Sequence, residues 1–490
     1  MHELILPTEV KISEIKENGS LSPNNYKKLT IINKKQHTIR DYLDEIPYFK
    51  GIEPGSSSYV PNSSQKFLRN SCINNIQFSV DKNKYICLNP KYFKETMISD
   101  GDVLLCTDAN IGDCCMYISD GENLGFSSGI VKLNFKKEKY KYYTMAFMRD
   151  DYFREQLNAK TPKGATIRHS GDLFMECLIP DAPYDWVYSI AENVIKNIAY
   201  AEYISEKKLR KSEDLIHKEI MVKKYPFINP SFKQLQNQKR LDSGIYSDTV
   251  FQWRENVRNY KNGDFNLDEF GFKLKRGPNL AKRDLGRSIQ TNEYRTGYNV
   301  LIYPSDISSA GYIQKVSYLG ARNPIWFLGT RDILFSSEGT IGKTFAVCDE
   351  TMRFTTNFHG TIIKPKTKDI PLEKSIFLAL YLNYIRQMNI FKKMSVGANG
   401  GSFAVGYWDN IRIPNVSEMF MNKLAMLYNN KISLNPAIFD FELLKKAGIY
   451  QLNDFLIKCK VLLNQLCNDI KNDSLQEKEF YTHMMDKKIT

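Results

Sequence analysis

Apolar positions along the chain fall into two textures. In one, short apolar runs bounded by glycine-containing turns read as strands: VLLC (103–106), IVKLNF (130–135), DILFS (332–336) and GTIIK (360–364). In the other, apolar residues recur every three or four positions. From Trp186 onward, Val187, Ile190, Val194, Ile198, Ala201, Ile204, Leu209, Leu215, Ile216 and Ile220 mark one face of an amphipathic helix, with Lys, Glu and Ser on its other faces. The spacing predicts a helix over 185–222, stopped by Pro226 and ~57 Å long at about 1.5 Å per residue. Leu452, Leu456, Cys459, Leu463, Leu466 and Ile470 form a heptad seam. Phe420, Leu424 and Leu427 predict a shorter helix over 416–429, broken near Pro436. The charged, polar tail 472–490 is expected to fray.

These textures repeat. GDVLLCTDANIGDCCMYI (101–118) aligns with RDILFSSEGTIGKTFAVC (331–348) at a constant offset of 230, so that Asp102 meets Asp332, Leu104 meets Leu334, Ile111 meets Ile341 and Gly112 meets Gly342. GIVKL (129–133) echoes GTIIKP (360–365), and each copy then enters an apolar, aromatic helical segment, 142–157 and 375–393. Each closes on a glycine-containing loop and a strand ending in Ile-Pro: TPKGATIRHSGDLFMECLIP (161–180) and SVGANGGSFAVGYWDNIRIP (395–414). So long a period excludes a solenoid and means two homologous globular domains in tandem, each followed by a long helix. Two such helices are complementary and are expected to pack antiparallel.

Composition narrows the function. Hydrophobic residues make up 42% and aromatics 12% of the 490 residues, enough for real cores. Lys and Arg number 68 against 55 Asp and Glu, a net charge of +13 that favours a polyanionic partner. Nine cysteines, several inside strand-like text (Cys87, Cys106, Cys348), suit small buried hydrophobes in a reducing compartment better than disulfides. No basic-then-apolar leader is visible at the start, and SIFLALYLNYI (375–385) is too short to span a bilayer. The expectation is a soluble, cytoplasmic, basic protein without membrane contact.

Two basic loops are candidates for polyanion contact. KLKRGPNLAKRDLGRS (273–288) carries Lys275, Arg276, Lys282, Arg283 and Arg287 around Gly277 and Gly286; glycines let backbone amides approach phosphates, and arginine binds phosphate or a guanine edge bidentately. KTPKGATIRH (160–169) carries Lys160, Lys163, Arg168 and His169, and the corresponding loop of the second copy adds Asn399 and Ser402. SEGTIGKT (337–344) imitates a phosphate-binding loop, but position 337 is serine where that motif needs glycine, and the first copy has Asp113 in place of the lysine. It reads as a turn between two strands. The six histidines show no paired ligand spacing, and no HExxH, CxxC, cofactor fingerprint or Asn-Pro-Pro-aromatic loop occurs. The pattern is that of a binder with no catalytic or metal site, an α+β protein of two mixed α/β domains.

GDVLLCTDANIG, RDILFSSEGTIG, FLRNSCI (67–73), NLGFSSGIVKL (123–133) and the closing loop and strand, in the order domain, helix, domain, helix, resemble the specificity subunit of type I restriction-modification systems. The resemblance implies target recognition domains over 1–183 and 226–415, a coiled-coil spacer helix over 184–225, a distal helical region over 416–472 and a polar tail over 473–490. Each domain would read half of a split target in double-stranded DNA, while the paired helices set the spacing and dock methyltransferase subunits. A restriction translocase/endonuclease subunit would join them. S-adenosylmethionine, ATP and Mg would sit on those partners and none on this chain. The same architecture also fits another methyltransferase-linked phage-defence system, and a nuclease or methyltransferase with an unrecognised active site is a third reading.

Overall fold

The hairpin around the repeated Ile-Gly turn is built the same way in both copies. Val103–Cys106 pairs antiparallel with Cys114–Met116, and Ile333–Ser336 with Thr344–Ala346. Both turns close on a left-handed glycine, Gly112 (φ 83°) and Gly342 (φ 90°), whose amides donate to Cys106 O and Ser336 O. SEGTIGKT is therefore a hairpin turn, and Lys343 Nζ donates to Ile307 O at 2.7 Å.

The computed structural model describes residues 3–5, 9–19, 21, 26, 28–93, 98–161, 169–238, 240–395 and 401–484. The chain divides into two units: Met1–Tyr203 with Asn435–Phe441 and Lys458–Lys487, and Ile204–Leu434 with Glu442–Ile457 and Lys488–Thr490.

In unit 1 the strands are β1 (Gln36–Thr38), β2 (Leu43–Lys50), β3 (Tyr59–Val60), β4 (Gln65–Leu68), β5 (Ile86–Leu88), β6 (Val103–Cys106), β7 (Cys114–Met116), β8 (Asn123–Phe126), β9 (Ile130–Phe135) and β10 (Leu178–Pro180), besides a small pair, Glu3–Ile5 with Lys28–Thr30. They form sheets ordered β2-β9-β6-β7, β8-β4-β5-β3 and β10-β1. The helical segment after β9 is two helices, α1 (Glu138–Met148) and α2 (Asp151–Lys160), separated where Asp150 caps α2 by accepting from Tyr152 N.

The long helix α3 spans Asp185–Ile220, ending two residues before the periodicity predicts. Its apolar stripe is buried as expected at Val187, Ile190, Val194, Ile198, Ala201, Ile204, Leu209, Ile216 and Ile220.

Unit 2 carries β11 (Asp264–Phe265), β12 (Phe272–Arg276), β13 (Ser288–Thr291), β14 (Asn299–Leu301), β15 (Ser317–Ala321), β16 (Ile333–Ser336), β17 (Thr344–Ala346), β18 (Phe354–Thr355), β19 (Gly360–Pro365) and β20 (Ile413–Pro414). Its sheets run β12-β19-β16-β17, β18-β14-β15-β13 and β20-β11. Adding ten to each strand number of unit 1 reproduces unit 2, including the parallel pairs β8·β4 and β18·β14. The duplication inferred from the sequence thus extends through three sheets.

Helices α4 (Leu372–Gln387) and α5 (Ile390–Met394) follow β19 as α1 and α2 follow β9. Residues 375–385 are buried on every side of α4, which packs against β17 and α6 (Glu418–Tyr428). That accounts for so apolar a run outside any membrane-spanning element: among the described residues no helix is long and apolar enough to cross a membrane. The seam of α7 (Ile449–Lys471) is buried at Leu452, Leu456, Cys459, Leu463, Leu466 and Ile470. Unit 1 holds the beginning of α3 with the end of α7, and unit 2 holds the end of α3 with the beginning of α7.

Two segments depart from expectation. Within unit 1, residues 435–441 bind the first part of α3: Asn193 Nδ2 donates to Ala437 O, and Asn197 Nδ2 donates to Pro436 O and Ile438 O. The tail does not simply fray, because Lys478–His483 is a short helix whose buried Tyr481 ring lies tilted 5.7 Å from that of Trp186 and whose hydroxyl donates to Asp469 Oδ2. Of its two aromatics Phe480 is exposed, so the burial that holds it is that of Tyr481. All nine cysteines are free; eight are buried and Cys87 is half-buried.

Candidate nucleic-acid interface

The exposed side of unit 2 is set by strand alternation. Along β12, Phe272 points into the core while Lys273 and Lys275 point out. Lys275 Nζ sits 4.7 Å from the Trp326 ring centroid and Lys364 Nζ 5.9 Å from the same ring, so one indole carries two cations. Asp332 Oδ2 lies 3.5 Å from Lys364 Nζ. Burial pushes the Asp332 carboxyl up, against the pull of Lys364. Unit 1 has a counterpart: Lys132 Nζ lies 5.2 Å from the Phe49 ring and 3.6 Å from Asp102 Oδ2.

At the end of β12, Arg276 Nε donates to Phe358 O at 3.0 Å, and its guanidinium lies 5.5 Å from the Phe358 ring. Phe358 is 41% exposed and its ring centroid is 3.9 Å from that of His359. His359 Nδ1 is 2.9 Å from Glu338 Oε2. Arg276, Phe358, His359 and Glu338 therefore form one exposed row of a cation, two rings and a carboxylate.

Glycine's expected role in this loop is corrected. The Gly277 amide donates to Gly360 O at 2.9 Å and the Gly286 amide to Lys282 O at 2.8 Å, so neither is offered to a phosphate. Position 277 needs glycine because a Cβ there would stand 2.0 Å from Asn357 O. Lys282, Arg283 and Arg287 do project from the surface, with Arg283 Nε 3.5 Å from Asp284 Oδ1.

In unit 1, Lys160 at the end of α2 is committed to Glu176 at 2.9 Å. His169 Nδ1 lies 2.8 Å from Asp108 Oδ1, and the two residues also form a backbone bridge. Ser402 bridges to Glu338 in the same manner in unit 2. Lys163, Arg168 and Asn399 lie outside the described residues. Of the remaining candidates, the structure brings Arg276 to the Glu338 row, which Ser402 borders, and Lys275 to Trp326; it separates Lys160 into an ion pair of its own.

Sequence reasoning missed Asp108, Glu338, Phe358 and His359. The repeat alignment pairs position 108 with 338, a signal that was available, but the histidines sit at non-equivalent positions and so gave none. A second feature missed is a cleft of about 560 Å³ in unit 2, lined by Lys343, Arg386 and Lys392 with Gly339 and Gly401. Among the described residues no group of three or more His, Cys, Asp or Glu side chains is placed to hold a metal ion.

No family model matches the sequence, and no curated protein matches it. Solved structures do resemble it. A type I restriction-modification S subunit from M. genitalium is similar over 91% of this chain and 97% of its own, at 14% identity and a TM-score of 0.40. A chain from a type I R-M system, solved in work on complex assembly and conformational transition, matches over 90% of this chain and 98% of its own at 12% identity and a TM-score of 0.28. The HsdS subunit from Thermoanaerobacter tengcongensis matches over 90% and 97% at 12% identity and a TM-score of 0.26.

Proposed function

We propose that this chain is the sequence-specific DNA-binding specificity subunit of a type I restriction-modification complex, each unit reading one half of a bipartite target. The observation that carries the reading is the strand-for-strand duplication, with an exposed acid–imidazole pair at the same hairpin of each copy. A module repeated on one chain presents one kind of surface twice, and linking two weak half-site contacts raises avidity through effective concentration. The net charge of +13 supplies the sequence-independent attraction to phosphates, while side chains at base edges supply the sequence.

On this reading the chain is not itself an enzyme. It directs methyltransferase and restriction translocase/endonuclease subunits to the target, and S-adenosylmethionine, ATP and Mg belong to those partners. The complex works in the cytoplasm.

Co-expression with the neighbouring genes tests the reading. Recovery of a stable complex with a methyltransferase, which then methylates DNA only when this chain is present, is the expected result. A chain that purifies alone and by itself cleaves or methylates DNA would overturn it.

A further inference from the structure

The two acid–imidazole pairs are not copies of each other. Asp108 and Glu338 are equivalent at the repeat offset of 230, and each precedes a left-handed residue, Ala109 (φ 59°) and Gly339 (φ 65°). Their histidines come from different places. In unit 2 the imidazole is His359, at the position equivalent to Gly129 by strand register, since Ile130 pairs with Cys106 as Gly360 pairs with Ser336. In unit 1 that position has no room, since a Cβ on Gly129 would stand 2.8 Å from Asn70 Nδ2 and 3.1 Å from Asp108 Cβ. There the imidazole arrives instead as His169, from the segment after α2, at the bridge site that Ser402 occupies in unit 2.

The same carboxylate–Nδ1 contact, at 2.8 and 2.9 Å, is thus reached by two routes. Sequence duplication alone would have copied the histidine's position; what recurs is the chemistry. Neither pair is buried away: the histidine side chains keep 62% and 45% of their exposure. In the neutral ring, an Nδ1–H that donates to the carboxylate leaves Nε2 as an acceptor. The carboxylate's second oxygen is another. Each pair is then an acceptor-rich head, held in orientation, at the hairpin turn of its sheet.

We infer that Asp108 with His169 and Glu338 with His359 are the base-reading elements of the two units, each accepting a hydrogen bond from an exocyclic amino group, cytosine N4 or adenine N6. The acceptors of guanine and thymine edges are repelled at that position, whereas aspartate and glutamate accept from cytosine N4 in the major groove. Arg276 and Phe358 flank the second pair and bind the adjoining backbone and ring face. The inference rests on the proposed DNA-reading function and names its residues.

The test is selection from random duplex DNA by the full chain, purified with its partners, beside Asp108→Asn and Glu338→Gln. Asp108→Asn should change discrimination about 10-fold at one position of one half-site and leave the other half intact; Glu338→Gln should do the reverse. His169→Ala and His359→Ala should relax the same two positions, and thermal melting checks that every variant folds. Replacing the contacted adenine by purine, or cytosine by 2-pyrimidinone, removes the amino group. That replacement should weaken the unaltered protein about 10-fold and the matching variant hardly at all. A split motif unchanged by every variant overturns this inference alone. If the unaltered protein selects no split motif, the DNA-reading proposal falls and this inference with it.

Discussion

Lys460 Nζ lies 3.7 Å from the Glu202 carboxylate, both within unit 1, with no side-chain exposure at Glu202 and 16% at Lys460. Glu202 Oε2 also accepts from Phe78 N, Ser79 N and Ser79 Oγ, so α3 is fastened to the sheet module at the point where α7 meets it. Burial pushes the carboxyl up and the ammonium down, against the pull that each exerts on the other. Removing one partner of a buried pair typically costs about 3–5 kcal/mol, whereas replacing both can be neutral. Glu202→Gln and Lys460→Met should each lower the denaturation midpoint substantially, and the double variant should recover part of the loss. Single losses below about 1 kcal/mol, the scale of a surface pair, would show that the contact anchors nothing.

Glu213 on α3 gives a pH signature. Burial, opposed by Arg386 and a hydrogen bond from Gln387, raises its carboxyl to about 7. The folded form therefore holds a proton that the unfolded chain releases near its ordinary value. Stability from this group is complete at low pH and is lost as pH rises toward 7, by at most about 3 kcal/mol at 1.36 kcal/mol per unit. Glu213→Gln should flatten the stability profile between about pH 5 and 7. An unchanged slope in urea titrations across that window would contradict the assignment.

The hairpin glycines should differ in tolerance. At Gly342 a Cβ would come within 2.5 Å of Phe391 and 3.0 Å of Arg386, on top of a φ of 90°. At Gly339 (φ 65°) nothing lies within 4 Å, and the equivalent residue of unit 1 is already Ala109 at φ 59°. Gly342→Ala should cost more than about 2 kcal/mol and Gly339→Ala about 1 kcal/mol, the ordinary left-handed penalty. Chemical denaturation of the two variants checks the ranking.

The exposed cations should act through salt. Replacing Lys282, Arg283 and Arg287 together with alanine should weaken binding to all sequences alike and reduce the slope of log K against log salt by about 0.9 for each phosphate no longer neutralised. Lys160→Ala should change the slope little, because Lys160 is already paired with Glu176. Titrations at several salt concentrations distinguish the two.

Much of the fold was legible because its signals are local. The Gly112 and Gly342 turns, the strands beside them and the stripes of α3 and α7 are written in adjacent residues, and a few such segments recurring in the same order announced the duplication. The second sheet was not legible: β3 and β18 are two residues long, and their pairing depends on distant strands. The tail helix hung on one aromatic, Tyr481. For the site, charge singled out the loop that carries Arg276, whereas Gly277 serves close backbone packing and not the open amide expected of it. The acid–imidazole pairs were invisible because His169 and His359 reach equivalent carboxylates from non-equivalent positions, a coincidence that exists only in three dimensions.

That two like units read two half-sites is tested most directly by selection of random-sequence duplexes with the full chain and its partners, followed by sequencing. Two short specified motifs separated by a fixed run of unspecified positions are the expected result. A single contiguous motif, or binding that enriches no sequence at all, would contradict it.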